Sequence, residues 1–354
     1  MAITLNSNAV IAALSNQIIR QIVNGDNIAN KSVTKFCDEA TREGGLYGDS
    51  ILVYDSDTLK TRAFDPNDLN ILQPEKTPDI KEQRFVIDNF RTIGAYIPTN
   101  FLFKQAWESE GSYGEIVGVI KATLMDTKDI YRGTTYNVFI GTTRPEKATQ
   151  IKEVTLTAGQ EGAEIATEIS NIMDDLSDPT REYNDYGFKR SYNYKDMKVI
   201  ISSEWLNKVK KIELPGVFHD EELKNTFSND NKLLSKYFGN MNDTSVATAD
   251  GTTIRAAEEV EIGGIDYMPG DLLPKGTTLA SGGTIKVKSY KTDSNIIGLM
   301  FIKGKMPPYF SALSVATSFY NPKNLSENNW LHFGSNTLNY LKGAPFIVIK
   351  KKSA

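Results

Sequence analysis

SYGEIVGVIKATLMDTKDIYRGTTY, residues Ser112 to Tyr136, is the stretch around which the rest of the chain is organised. Ser112 followed three residues later by Glu115 is a capping box, in which each side chain accepts from the other residue's backbone N–H at a helix start. Behind it Tyr113, Ile116, Val117, Ile120, Leu124, Thr127 and Tyr131 recur at helical spacing, so one mostly apolar stripe faces a sheet. At about 1.5 Å per residue the rod is roughly 35 Å long, the width of a small domain. Its braces must come from distant parts of the chain. The strand-like run Arg84–Pro98 lies before it, and Ile296–Ile302 and Phe346–Lys350 follow far downstream. This predicts that the first and last thirds of the chain make one domain and that the middle is an insertion.

The totals narrow the class. A chain of 354 residues exceeds one ordinary core, which predicts two lobes or one lobe with long extensions. Hydrophobic content of 40% and charged content of 24% exclude a disordered chain. A net charge of −4 gives no bulk attraction to nucleic acid or anionic lipid, so any such contact must be local. A single cysteine, Cys37, rules out an intramolecular disulfide and reads as a bystander thiol, with no histidine near it in sequence to act as a base. No secretory signal opens the chain, and no run approaches the ~18 apolar residues of a membrane span. The expectation is a soluble protein made in a cytoplasm, with no membrane partner.

Outward from the long helix, Asn8–Val23 carries Ile11, Leu14, Ile18 and Ile22 on one face and is stopped by Asn24-Gly25. That face has to be buried against its own domain or a neighbouring subunit, and the sequence leaves both open. Ser32–Arg42 reads as another short helix. Ile51–Tyr54 and Leu59–Phe64 read as strands, and Ile80–Ile97 alternates again through Phe85, Ile87 and Ile93. Gly48–Gly94 is thus a long two-stranded excursion, too poor in apolar residues for its own core. A projecting hairpin of this kind is expected to find support from another chain.

After the long helix, Asn137–Ile140 and Val154–Thr157 are strand-like, and Gln160–Leu176 is an amphipathic helix burying Ile165, Ile169, Ile172, Met173 and Leu176. The loop with Tyr183, Tyr186, Phe188, Tyr192 and Tyr194 mixes aromatics with Arg181, Lys189 and Arg190. Its interleaved acids favour a subunit contact over base stacking on nucleic acid. Met197–Ile201 is a buried strand and Ser203–Lys211 a short helix. From Met241 to Ser289 the chain is turn-rich β structure, with runs at Thr252–Val260, Ile262–Tyr267 and Thr284–Tyr290. Phe346–Ile349 closes as a strand ahead of a solubilising Lys350-Lys351-Lys352.

No reaction centre has the spacing its chemistry needs. His219 and His332 sit in no metal-ligand pattern, and neither a phosphate loop nor a nucleophile elbow occurs. Asp55-Ser56-Asp57 begins like a calcium loop but lacks the glycine at the sixth position, and Pro66 stands where the bidentate glutamate belongs. Asp174-Asp175 and Glu258-Glu259 with Glu261 could be carboxylate pairs, but among 44 acidic residues solvated faces explain them. No catalytic, cofactor-binding or metal residue is assigned, no cofactor is expected, and the chain reads as a structural protein and not an enzyme.

The order of parts then carries a resemblance. A short-helix arm, a two-stranded excursion, one long helix, an inserted lobe with Asp196-Met197-Lys198-Val199-Ile200-Ile201-Ser202-Ser203-Glu204-Trp205-Leu206, and late returning strands together resemble the major capsid proteins of tailed bacteriophages, the Hong Kong ninety-seven type of fold. The runs Thr317-Ser318-Phe319-Tyr320-Asn321-Pro322-Lys323-Asn324-Leu325 and Ala344-Pro345-Phe346-Ile347-Val348 are similar to those of small, short-tailed phages of Gram-positive hosts.

The resemblance implies an α+β fold with an N-terminal arm at 1–47 and an extended loop at 48–95. It implies a peripheral domain at 96–150 and 291–354, with its spine helix at about 113–136, and an axial domain at 151–290. It implies a homo-oligomer of hexamers and pentamers in an icosahedral or prolate shell, found in the virion and, before assembly, in the host cytoplasm. The implied partners are a separate scaffolding protein, a portal and packaged double-stranded DNA held by non-specific contact. No scaffolding domain precedes Met1–Ser50, so a scaffold is expected to be another chain. Some members cross-link a loop lysine to an asparagine of a neighbour. Lys60 lies in that region, but no partner or carboxylate matches, so that chemistry is not carried over. The alternatives are another virion structural protein, such as a tail or surface component, and a hydrolase acting through a carboxylate pair.

Overall fold

Residues 31–63, 77–98, 110–211, 227–242, 254–274, 288–321, 323 and 326–352 are described by the structure, a computed structural model. The Asn8–Val23 helix, His219 and most of Thr284–Tyr290 lie outside them. In chain order the elements are α1 (Lys31–Ala40), β1 (Thr41–Glu43), β2 (Ser50–Ser56), β3 (Ile80–Val86), β4 (Asn89–Pro98), α2 (Glu110–Thr142), β5 (Ile151–Val154), α3 (Glu161–Ser177), β6 (Met197–Ser202) and α4 (Ser203–Lys211). They continue as β7 (Lys232–Leu233), β8 (Gly239–Asn242), β9 (Ile254–Ala256), β10 (Val260–Ile262), β11 (Ile265–Tyr267), β12 (Ser289–Thr292), β13 (Ile296–Ile302), β14 (Tyr309–Ser311), β15 (Val315–Asn321), β16 (Ser326–Ser335) and β17 (Phe346–Lys351). The chain forms two units: Met1–Ser50, Val86–Tyr136 and Tyr309–Thr337 in the first, and Ile51–Phe85, Asn137–Pro308 and Leu338–Ala354 in the second.

The long helix α2 has 33 residues, about 50 Å, against the 25-residue reading. It begins ahead of the Ser112 capping box and runs through Asn137–Ile140, which corrects the strand expected there. The β-branched Val138 and Ile140 favour a strand locally, but both are buried by tertiary packing of the helix, and the threonines on either side bond back to it. Thr134 Oγ1 donates to the Ile130 carbonyl (2.7 Å) and Thr142 Oγ1 to that of Val138 (2.7 Å). The helix ends where Arg144 donates to the carbonyl oxygens of Gly141 (3.0 Å), Thr143 (2.6 Å) and Gly239 (2.5 Å), just ahead of Pro145.

In the first unit β16 is the central strand. β4 pairs with it antiparallel along its whole length, from Asn89↔Ser335 to Pro98↔Ser326. On its other side β15 pairs from Val315↔His332 to Asn321↔Ser326, β14 joins at Ser311↔Ser335, and β1 adds in parallel to β14. α1 crosses α2 at Gly133, where a β-carbon would stand 2.7 Å from the Val33 carbonyl oxygen.

The second unit holds a five-stranded sheet in the order β5-β17-β13-β6-β7. Ile165, Ile169, Ile172 and Leu176 of α3 and Trp205, Leu206 and Val209 of α4 pack on Val199, Ile201, Ile297, Ile347 and Ile349 of the sheet. Each such side chain contributes about 1.5–3 kcal/mol by leaving water. β13 and β17 fall in the second unit together with the last turns of α2 from Asn137 on, whereas the helix up to Tyr136 falls in the first. An unbroken apolar run marks a buried strand but does not name its partner.

Two expected strands shift. The described part of Leu59–Phe64 is irregular, and the partner of β2 is β3. Thr252–Val260 divides between β9, in the small sheet β8-β12-β9, and β10, which turns into β11 at Gly263-Gly264 with φ of 62° and 79°. Two successive residues at positive φ make the turn type that closes a two-residue hairpin, and glycine adopts it without strain.

Candidate assembly surfaces

Strand β2 alternates. Ile51, Val53 and Asp55 face inward, while Leu52 and Tyr54 face out, joined by exposed Ile80 at the start of β3. Inward, Asp55 pairs with Arg190, whose Nη2 also donates to the Ser56 carbonyl (2.6 Å). Asp57, just past the strand, receives Arg181 Nη1 at 2.6 Å and the Lys189 backbone N–H at 3.0 Å. The Lys189 N–H and then the Arg181 bond hold the Asp57 carboxyl well below the usual carboxylate range. On β3, Gln83 donates to the Tyr340 carbonyl (2.8 Å) and accepts from the Lys342 N–H (3.0 Å). Charged and amide side chains thus seat the hairpin on its own subunit.

The aromatic loop after α3 is also mostly internal. Tyr183 and Phe188 are buried, and the hydroxyl of Tyr183 donates to Asp175 (2.6 Å) as that of Tyr194 does to Asp174 (2.6 Å). The Asp174-Asp175 pair thus staples the loop to α3. Glu258 is paired with Lys288 at 2.7 Å. An open groove runs between Thr58–Thr61 and Pro179–Glu182 with Lys189, and its lining holds one carboxylate, Glu182, where a glycosidase needs two. Lys60 is exposed on this groove.

Cys37 and His332 are held within the first unit. Cys37 is buried and its thiol is pushed up to about 12 by desolvation. His332 bridges three strands: Nδ1 lies 2.9 Å from Thr92 Oγ1 on β4, and Nε2 lies 3.1 Å from Thr317 Oγ1 on β15. Among the described residues no group of His, Cys, Asp and Glu could hold a metal.

Around His332 the first unit presents a face that sequence reading missed. The cross-strand rows are Val315–His332–Thr92, Thr317–Trp330–Gly94 and Phe319–Asn328–Tyr96. Phe319 is 60% exposed and Tyr96 61%, and exposed Phe90 stacks on His332 with its edge met by Tyr47 at 5.6 Å. Gly94 leaves room for the indole, since a β-carbon there would stand 3.2 Å from Trp330 Cδ1. Clustered exposed aromatics at this density mark a surface for another macromolecule. Alternation in β4 was legible, but not which of its faces would stay uncovered.

Comparisons with known proteins bear on all of these surfaces. The family model described as Phi29-like phage major capsid protein matches residues 3–349. A chain in the capsid structure of Staphylococcus phage Andhra superposes with a TM-score of 0.63 at 9% identity, covering 94% of this chain and 88% of that one. A chain in the structure of head fiber and inner core protein of native bacteriophage P68 gives a TM-score of 0.61 at 11% identity, covering 94% and 87%. At such identities the likeness is one of fold. Comparison with curated protein sequences returned no match.

Proposed function

The chain belongs to the Phi29-like phage major capsid proteins, structural subunits and not enzymes, and from that premise we propose how its surfaces are used. Its fold is that of phage capsid subunits, the Hong Kong ninety-seven type, and its place is the virion. It works as an oligomer. In our reading hexamers and pentamers are closed rings in which one surface meets a different surface of the next copy. The outer face of the β2–β3 hairpin and the aromatic face of the β4-β16-β15 sheet are each covered by a neighbouring copy, and about 1,600 Å² per contact suffices for specific association.

In the same reading residues 1–47 are the arm and 48–95 the extended loop. The unit built on β4 and β16 is peripheral, and the unit built on α3, α4 and the β5-β17-β13-β6-β7 sheet is axial, with β13 and β17 moved into it. A separate scaffolding chain, a portal, non-specific contact with packaged double-stranded DNA and residence in the host cytoplasm before assembly complete the proposal. The match over residues 3–349 carries it. Sedimentation of the purified chain, alone and with a scaffold, followed by negative-stain imaging, tests it. Rings or shells are expected, and a monodisperse monomer at high concentration under every condition would overturn it.

A further inference from the structure

We propose that Asp55 and Asp57 form a latch that seats the β2–β3 hairpin on its own subunit before any neighbour is met, so that Leu52, Tyr54 and Ile80 are offered to the next copy in a fixed orientation. The latch itself rests on geometry, and its consequence for assembly rests on the shell reading above.

A spacing of two puts Asp57, one residue past the end of β2, on the same inward side as Asp55, while Ser56 between them points out. Their receiver is rigid. The loop carrying Arg181, Lys189 and Arg190 is closed by a reciprocal pair of backbone bonds, Thr180 N–H to Arg190 O and Arg190 N–H to Thr180 O, both 2.9 Å. Inside it, Asn184 donates to the Phe188 carbonyl (2.7 Å) and accepts from the Phe188 N–H (2.8 Å). The Arg190 guanidinium also lies 5.4 Å over the Phe188 ring, so its direction is set before Asp55 arrives. Gly343 completes the seat, because a β-carbon there would collide with the Asp55 carboxylate.

Single ion pairs that reach solvent are weak, since water and salt screen them. Here the two pairs and the Gln83 amide hold one hairpin against one surface, so none can let go without straining the others. Ordering a loop during association opposes binding, and a hairpin ordered beforehand removes that cost.

Hydrogen exchange on the unassembled full-length chain, read by mass spectrometry on peptides covering residues 50–57 and 80–86, tests the latch. Asp55→Asn with Asp57→Asn should speed exchange of these peptides on the order of fivefold to tenfold, and leave peptides of β6 and β13 unchanged. High salt should do the same to the unaltered chain, and Asp57→Arg combined with Arg181→Asp should restore part of the protection. Unchanged hairpin exchange in the double variant, or in high salt, would overturn the proposal. Since exchange is read on free subunits, a failed latch leaves the shell reading standing, and a chain that never assembles leaves the latch standing.

Discussion

Gly141, in the last turn of α2, lies so close to the backbone carbonyl of Tyr237 that no β-carbon fits between them. In an exposed helix Gly→Ala stabilises by roughly 0.5–1 kcal/mol. Here the sign reverses: Gly141→Ala should cost about 1–3 kcal/mol through overpacking, seen as a lowered midpoint in thermal or urea denaturation of the subunit.

Core and surface substitutions should separate stability from assembly. Ile201 is fully buried in the β6-β13 pair, and Ile201→Ala should cost about 2–5 kcal/mol of subunit stability. Tyr96→Ser with Phe319→Ser, both on the open sheet face, should move the subunit midpoint by no more than roughly 0.5 kcal/mol per site. The same pair should raise the concentration needed for assembly, measured by light scattering.

Two aspartates have opposite acid responses. Asp57 has its carboxyl pKa depressed by the Lys189 N–H and Arg181, so its contribution is present above the ordinary carboxylate value and is lost as pH falls through its own lower one. Protection of the hairpin amides, taken relative to their intrinsic exchange rate at each pH, should therefore hold through mildly acidic pH and fall only below about pH 4.

Asp185 goes the other way. Burial raises its carboxyl, although Oδ2 accepts from the Tyr340 hydroxyl at 2.5 Å, and Oδ1 is buried without a partner. A raised carboxyl stabilises below the unfolded value and loses that contribution as pH rises through the folded one. Asp185→Asn should leave the subunit as stable or more stable at neutral pH, with a flatter pH profile of the melting midpoint just above the ordinary carboxylate range.

Cys37, with its thiol raised to about 12, should resist alkylation in the native subunit and react on unfolding. Rapid native labelling by iodoacetamide would contradict the packing of α1.

How far the fold could be read from the sequence depended on whether the deciding contact was local. The amphipathic helix α3 was legible because its apolar spacing is set by the single sheet it covers, and β6, β13 and β17 because each is an unbroken apolar run within that sheet. The end of α2 was not: Asn137–Ile140 has strand-like residues, and the Gly239 carbonyl that receives Arg144 is a tertiary partner. The surfaces were half legible. The hairpin was recognised from its polar content, but the pairing of Arg181 with Asp57 and Arg190 with Asp55 was not, because the partners are more than a hundred residues apart in sequence. The aromatic face escaped because Phe90, Tyr96 and Phe319 come from β4 and β15, which meet only across β16.

The pairing of β4 with β16 has a consequence for when a copy becomes usable. β4 gains its partner only once residues 326–335 exist, and β5 gains its own only from Phe346–Lys351. Neither sheet can close before these late strands are made, so a half-translated chain leaves both β4 and β5 without their pairing strands. Chains cut short ahead of these strands are left with unpaired edges, which separates them from finished subunits.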